Sequence, residues 1–235
     1  MTSTNFPCPL AAVLLDAGGT LISERRGRAT IYASAAHDAG LAVDEVQMGK
    51  LMKHTLGELP RSVDGAFRFS RGWFEVFIER IFVDRLGLAR ERLQAVRGTL
   101  FERFADPAEY RCTTGALELL EALSARGVTL GVLSNWSEAL PGLLRDLGLT
   151  QHLDFVLVSA IEGAEKPERA FFERGLELAG AAPASVLHVG NDPELDVQGA
   201  LSVGILPVLV GEAELAPGLE SVTRVSTLEA LARII

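Results

Sequence analysis

The chain has 235 residues, 48% of them hydrophobic, and a formal net charge of -9. This length allows one large domain, or one domain carrying an insertion, and no apolar run approaches the roughly 18 to 20 residues of a membrane-spanning helix. The acidic balance works against a nucleic-acid partner, whose binding depends on neutralising phosphates, and Arg25, Arg26 and Arg28 form only a short basic cluster.

Residues 1–9 hold no basic stretch followed by an apolar one, so no export signal is expected. Cys8 and Cys112 lack metal-ligand spacing and are expected to be reduced thiols of a cytoplasmic protein. The apolar run 10–15 predicts the first strand. No strand is legible between Ser23 and Tyr110; instead helical periodicity covers 30–39, 44–56, 67–86 and 90–104. Asp44 and Gln47 have the spacing of a helix capping box, and Pro60 and Pro107 punctuate the segment. Phe67, Phe69, Trp73, Phe74, Phe77 and Phe82 fall in a helical stripe, expected to be the core of this insertion. Further on, the apolar runs 128–133, 155–158, 186–189 and 206–210 alternate with helical patterns at 116–125, 139–147, 170–179 and 196–203. Short, continuously apolar runs separated by single helices predict βαβ units around a parallel sheet buried on both faces. The expected fold is α/β: a Rossmann-like core from residues 1–22 and 109–235, with an inserted α-helical cap over 23–108.

Chemistry-bearing residues cluster at the strand ends. The first strand runs into Asp16-Ala-Gly18-Gly19-Thr20, where the glycines permit unusual backbone angles and close approach to a ligand. In open α/β sheets the ligand crevice lies at the carboxyl ends of the strands, although Asp16 taken alone reads equally well as a helix N-cap. Ser134-Asn135 ends the second strand, Glu165-Lys166-Pro167 follows the third, and His188-Val-Gly-Asn191-Asp192 leads to Asp196. Pro167 is expected at the first position of the next helix. Together the four segments suggest a carboxylate nucleophile at Asp16 that forms a covalent intermediate. Ser134, the amides near Gly18 and the Lys166 ammonium would neutralise a developing anion. The acidic loop would hold Mg²⁺ through oxygen ligands.

These segments resemble the four motifs of the haloacid dehalogenase-like superfamily, and the helical insertion resembles its cap. Asp-Ala-Gly-Gly-Thr-Leu, Leu-Ser-Asn, Glu-Lys-Pro and His-Val-Gly followed by Asp-Val-Gln-Gly-Ala are most similar to subfamily I. Within it they are similar to the branch named after haloacid dehalogenase-like hydrolase domain-containing protein 3. The resemblance implies a Mg²⁺-dependent phosphatase of small phosphorylated metabolites; the oligomeric state is left open between monomer and homodimer. Asp16 and Lys166 would be catalytic. Gly18, Gly19, Thr20, Ser134, Asn135 and Lys166 would bind the substrate phosphate, and Asp16, Gly18, Asn191, Asp192 and Asp196 would form the metal site.

Two positions depart from the pattern. Superfamily phosphatases carry a second aspartate two residues after the nucleophile, as general acid and then base. Gly18 stands there in this chain, which implies weak activity, since such proton transfer contributes about 10²- to 10⁴-fold. Asn191 stands where an aspartate is usual, which moves the metal site toward Asp192. The same losses suit a metal-independent 2-haloacid dehalogenase-type hydrolase, or a non-catalytic protein that binds a phosphorylated ligand. A cap-lysine mechanism like that of phosphonoacetaldehyde hydrolases would draw on Lys50 or Lys53, which read more simply as a solvated face. His188 reads as a satisfied core histidine, and Trp136, which follows the Ser134-Asn135 turn, as a packing residue or as lining of the pocket mouth. His54 and Arg28 are cap residues of unassigned placement.

Overall fold

The computed structural model describes Phe6 and residues 9–235. Cys8, and nearly all of the stretch read for an export signal, lies outside the described residues; Cys112 is a free, exposed thiol. No helix among the described residues is long and apolar enough to cross a membrane.

The first strand, β1 (Ala12–Leu15), is buried throughout. Val13 and Leu15 enter one hydrophobic cluster and Ala12 and Leu14 another, so the strand packs on both faces and needs no polar alternation. After β2 (Ile22–Glu24) come α1 (Arg28–Asp38) and α2 (Glu45–Glu58), the small hairpin β3 (Ser62–Val63) and β4 (Ala66–Phe67), then α3 (Arg71–Glu79) and α4 (Leu93–Ala105). The chain returns through β5 (Tyr110–Cys112), paired antiparallel with β2. The remainder runs α5 (Ala116–Ala125), β6 (Thr129–Ser134), α6 (Leu140–Asp146), β7 (Phe155–Val158), α7 (Ser159–Glu162), α8 (Arg169–Ala179), β8 (Val186–Gly190), α9 (Gly199–Ser202), β9 (Leu206–Val210), β10 (Thr223–Val225) and α10 (Leu228–Ala232).

Six strands form one parallel sheet in the order β10-β9-β8-β1-β6-β7. Strand order diverges in both directions from β1, so its carboxyl end lies at the topological switch point, where such sheets open a ligand crevice. Helices α1 to α4 close on a third cluster, with Ile31, Tyr32, Trp73, Phe77, Phe82 and Leu100 at its centre. The capping box is present: Gln47 N–H donates to Asp44, and the Asp44 amide donates to the Gln47 side chain.

The structure corrects several expectations. The stretch between Ser23 and Tyr110 is not free of strands: β2 and β5 pair at its two ends, and β3 and β4 form a hairpin around Asp64 and Gly65, with φ of 49° and 81°. Asp-Gly is a strong hairpin signal because both residues tolerate positive φ. Phe67 is therefore in a strand and Phe69 in a loop with φ of 70°, while helix α3 begins only after Ser70, whose hydroxyl accepts from Trp73 N–H. Pro167 is not in a helix, since Glu168 is the N-cap of α8. The segment expected as a helix over 196–203 opens with a wider π-turn, Pro193–Gln198. Strand β10 and helix α10 complete the sheet edge and its cover, a unit too short for its periodicity to stand out.

Two groups of polar contacts seat the helical insertion against the sheet. The Arg71 amide at the start of α3 donates to Glu138, at 3.1 and 3.2 Å. Arg61, next to the hairpin, pairs with Glu165 at 2.9 Å and with Glu168, and Arg68 reaches Glu165 at 3.3 Å.

Candidate active site

The carboxyl ends of β1, β6 and β8 bring Asp16, Ser134 and the Asn191–Asp196 loop together, and Lys166 enters from the loop before α8. Asp16 is 6% exposed, Ser134 2%, Lys166 3% and Asp196 1%. Lys166 Nζ donates to Asp16 Oδ1 and to Asp196 Oδ1, each at 2.6 Å, and Ser134 Oγ donates to Asp16 Oδ1 at 3.1 Å. Oδ1 of Asp16 is thereby held by two donors, whereas Oδ2 accepts no hydrogen bond among the described residues. An ammonium carries three N–H donors, so one of those on Lys166 is uncommitted.

Buried charges need paired partners, and this cluster has them. For Asp196, burial pushes upward, but Lys166 and then His188 hold the carboxyl well below the usual range. For Asp16, burial dominates and the neighbouring Asp196 charge adds to it, so its pKa is raised despite Lys166. The Lys166 ammonium is desolvated, yet the two carboxylates raise its pKa and keep it charged.

The other residues singled out by sequence fall into distinct roles. Thr20 Oγ1 donates to Asn191 Oδ1 at 3.2 Å, which sets the amide over the glycine turn. Gly19 has φ of 81°, and a Cβ there would lie 2.8 Å from Asn191 Nδ2, so both conformation and space require glycine. Asn135 is part of the framework: its side chain accepts from Lys166 N–H at 2.8 Å and donates to Lys166 C=O at 3.0 Å, fixing the lysine backbone. Asp192 is a helix cap, with Oδ1 accepting from the Glu194 and Leu195 amides at 2.8 Å. Both oxygens of Asp196 are engaged, Oδ1 by Lys166 and His188 and Oδ2 by the Asp192 amide. Among the described residues, no three His, Cys, Asp or Glu side chains converge into a metal cage.

His188 is fully buried but only half satisfied. Its Nε2 lies 2.9 Å from Asp196 Oδ1 and donates to it, because a carboxylate only accepts; Nδ1 has no partner among the described residues. His188 is thus a support for Asp196 rather than a filler.

Trp136 has a position that no local signal announces. A Cβ on Gly18 would lie 2.7 Å from Trp136 Cζ3, so the indole fills the place of a side chain at that position. The Arg28 guanidinium lies over the same ring, 5.2 Å from its centroid, and donates to Glu24 at 2.6 Å. The indole and Arg28 both line a cavity of about 690 Å³ under the helical insertion, together with Phe69, Phe74, Phe77, Phe101 and Phe104. The aromatic stripe is therefore divided: Phe82 belongs to the insertion's core, while Phe77 serves both the core and the cavity wall. Lys53 is at this cavity, whereas Lys50 and His54 are not, and His54 pairs with Glu58 at 2.9 Å.

Comparison with known proteins agrees with this geometry. A family model described as haloacid dehalogenase-like hydrolase matches residues 10–204. The chain is 30% identical over 205 residues to haloacid dehalogenase-like hydrolase domain-containing protein 3 of Mus musculus, covering 85% of this chain and 81% of that one. It is 31% identical over 142 residues to a phosphoserine phosphatase of Thermus thermophilus, covering 59% and 56%. A solved HAD phosphatase from Thermococcus onnurineus has the same fold, with a TM-score of 0.68 at 24% identity over 95% of this chain and 97% of that one.

Proposed function

Because the chain belongs to the haloacid dehalogenase-like hydrolase family, we propose that it is a Mg²⁺-dependent phosphatase that acts on small phosphorylated molecules through Asp16. The observation that carries this reading is the asymmetry of the Asp16 carboxylate: Oδ1 is pinned by Ser134 and Lys166, and Oδ2 is left as the attacking oxygen.

The donors near Asp16 suit Mg²⁺. They would all be oxygen: the Asp16 carboxylate, the Gly18 carbonyl and Asn191 Oδ1. Mg²⁺ commonly binds through one or two carboxylates plus substrate phosphate and keeps several waters, so one carboxylate suffices. Asp196 has both oxygens engaged and stands outside this set, whereas Asp192 commits only Oδ1, to the Glu194 and Leu195 amides. Bound there, the cation would neutralise charge on the phosphoryl oxygens.

The chain's own residues do the rest. Asp16 Oδ2 attacks phosphorus and the ester P–O bond breaks, leaving an aspartyl phosphate that water then hydrolyses. Lys166 offers its third N–H to a phosphoryl oxygen, and the pair with Asp196 keeps it charged and aimed. Gly18 supplies no proton to the leaving group, so turnover is slow for ordinary alcohols.

The test is hydrolysis of an activated aryl phosphate, with and without Mg²⁺, by wild type and Asp16→Asn. Turnover that needs both the metal and Asp16 is expected. A folded wild type no faster than the Asn variant would end the phosphatase reading.

A further inference from the structure

We propose that the substrates are phosphate monoesters of apolar aryl or enol alcohols, whose leaving group lodges in the aromatic cavity beyond Trp136. This deepens the phosphatase reading above and rests on it. Two independent features converge on the same chemistry.

The first is the occupied place at Gly18. Trp136 leaves no room for a carboxylate there, so the departing oxygen leaves without a proton from that position. Such a step favours alcohols that are stable as anions, and phenols and enols are, whereas sugar and glycerol hydroxyls are not. Arg28 Nη2 lies 3.8 Å from where a Gly18 Cβ would stand. A guanidinium cannot donate its proton at neutral pH, but its charge stabilises an anion forming beside it.

The second is the cavity itself. At about 690 Å³ it exceeds a phosphate by far and falls in the range of sites for whole organic ligands. Its walls are rings: Phe69, Phe74, Phe101 and Phe104 are each half-buried, with faces or edges left for a partner. The arginines at its edge are already engaged, Arg28 with Glu24 and Arg71 over the Phe101 ring at 4.4 Å. The lining also holds Lys53, Ser137 and Glu138, but rings predominate, so a polyhydroxylated leaving group would lose more hydration against these walls than the few polar side chains replace. An aromatic one gains offset and edge-to-face contacts.

The step balances without an added acid. Asp16 Oδ2 forms a bond to phosphorus as the aryl C–O–P linkage breaks at P–O, and the electron pair leaves on the aryl oxygen. Water then attacks phosphorus and the Asp16–phosphorus bond breaks. Its proton passes to the released phosphate, and the Asp16 carboxylate is restored.

The experiment uses the full chain and two readouts. Both tryptophans of the sequence, Trp73 and Trp136, line the cavity, so a ligand inside it quenches intrinsic fluorescence. Asp16→Asn is titrated with 1-naphthyl phosphate, 1-naphthylmethyl phosphate and glucose 6-phosphate; wild type in EDTA replaces it if that variant does not fold. Both naphthyl esters are expected to quench and to bind at least about tenfold more tightly than the sugar ester, and Phe74→Ala to remove about tenfold of that preference. Wild type with Mg²⁺ is expected to hydrolyse the naphthyl ester about 10²-fold faster than the naphthylmethyl ester, whose alcohol is a poor leaving group. Tighter binding of the sugar ester, indifference to Phe74→Ala, or equal rates for the two naphthyl compounds would overturn the proposal. Quenching by the naphthyl esters without Asp16-dependent turnover of any ester would instead overturn the phosphatase reading.

Discussion

The crevice around Asp16 and the cavity under the helical insertion meet along Arg28, Asn135 and Trp136, and are built on opposite principles. In the crevice every buried charge has named partners: Lys166 bridges Asp16 and Asp196, and His188 and the Asp192 amide complete Asp196. In the cavity the lining groups are rings that touch one another at centroid separations of 5.4 to 6.2 Å, with little directional bonding. A network of paired charges fails as a unit when one member is removed, whereas a wall of rings loses contact area one ring at a time. Substitutions in the crevice are thus expected to be nearly all-or-none, and those in the cavity graded.

Lys166→Met should give the largest effect. It leaves Asp16 and Asp196 facing each other without the ammonium, and breaking one partner of a buried charge cluster costs about 3 to 5 kcal/mol. Phosphatase activity should fall by at least about 10³-fold, because one change removes both a phosphoryl donor and the charge balance. Chemical denaturation alongside kinetics checks both arms. A variant that kept full stability would show that the crevice is less interdependent than its hydrogen bonds imply.

Much of the crevice is legible in the sequence, because strand ends and short apolar runs are local signals. The run 10–15 reads as a doubly buried strand since Ala12, Val13, Leu14 and Leu15 alternate between two hydrophobic clusters, both apolar. Asp16, Ser134 and Lys166 each follow a recognisable element, so their meeting follows from the topology of a parallel sheet. What stayed hidden depends on contacts between distant segments. Gly18 and Trp136 are far apart in the chain, and only the folded turn shows that the missing side chain has been replaced by an indole. Asp192 reads as a metal ligand by composition, and only the fold shows that its Oδ1 also caps a helical turn through the Glu194 and Leu195 amides. The β3–β4 hairpin is a different case: Asp64-Gly65 signalled it, but strands of two residues carry no alternation to support the turn.

Gly18→Asp tests whether Trp136 truly separates the two regions, and its effect should be intermediate. The added carboxylate must displace the indole or twist away from it, given a Cβ contact of 2.7 Å. The single variant should therefore lose activity, by about tenfold, rather than acquire an acid. Combining it with Trp136→Ala frees the space, and the double variant should then hydrolyse alkyl phosphates faster than wild type, by up to the roughly 10²-fold lower bound for proton transfer. The same double variant should lose part of its preference for aryl esters, because the cavity loses a wall. If Gly18→Asp alone accelerated alkyl ester hydrolysis, Trp136 would not be the obstacle.

The smallest effect is expected where the two regions are held together from outside. Glu138 lies in the loop after β6 and accepts the Arg71 amide at the N-terminus of α3, the helix that contributes Trp73, Phe74 and Phe77 to the cavity. A carboxylate at a helix N-terminus interacts with the helix dipole as well as the free amide, for about 0.3 to 1 kcal/mol at an exposed site. Glu138→Gln retains the acceptor and loses the charge, so global stability should change by less than about 1 kcal/mol. Since that contact orients the ring-bearing face of α3 over the sheet, the loss should appear in binding of the apolar leaving group. KM for an aryl phosphate should rise about two- to fivefold with kcat little changed, the pattern of lost uniform binding. A fall in kcat instead would mean that α3 positions the reacting phosphoryl group as well, and that the line at Trp136 divides the chemistry less cleanly than the packing.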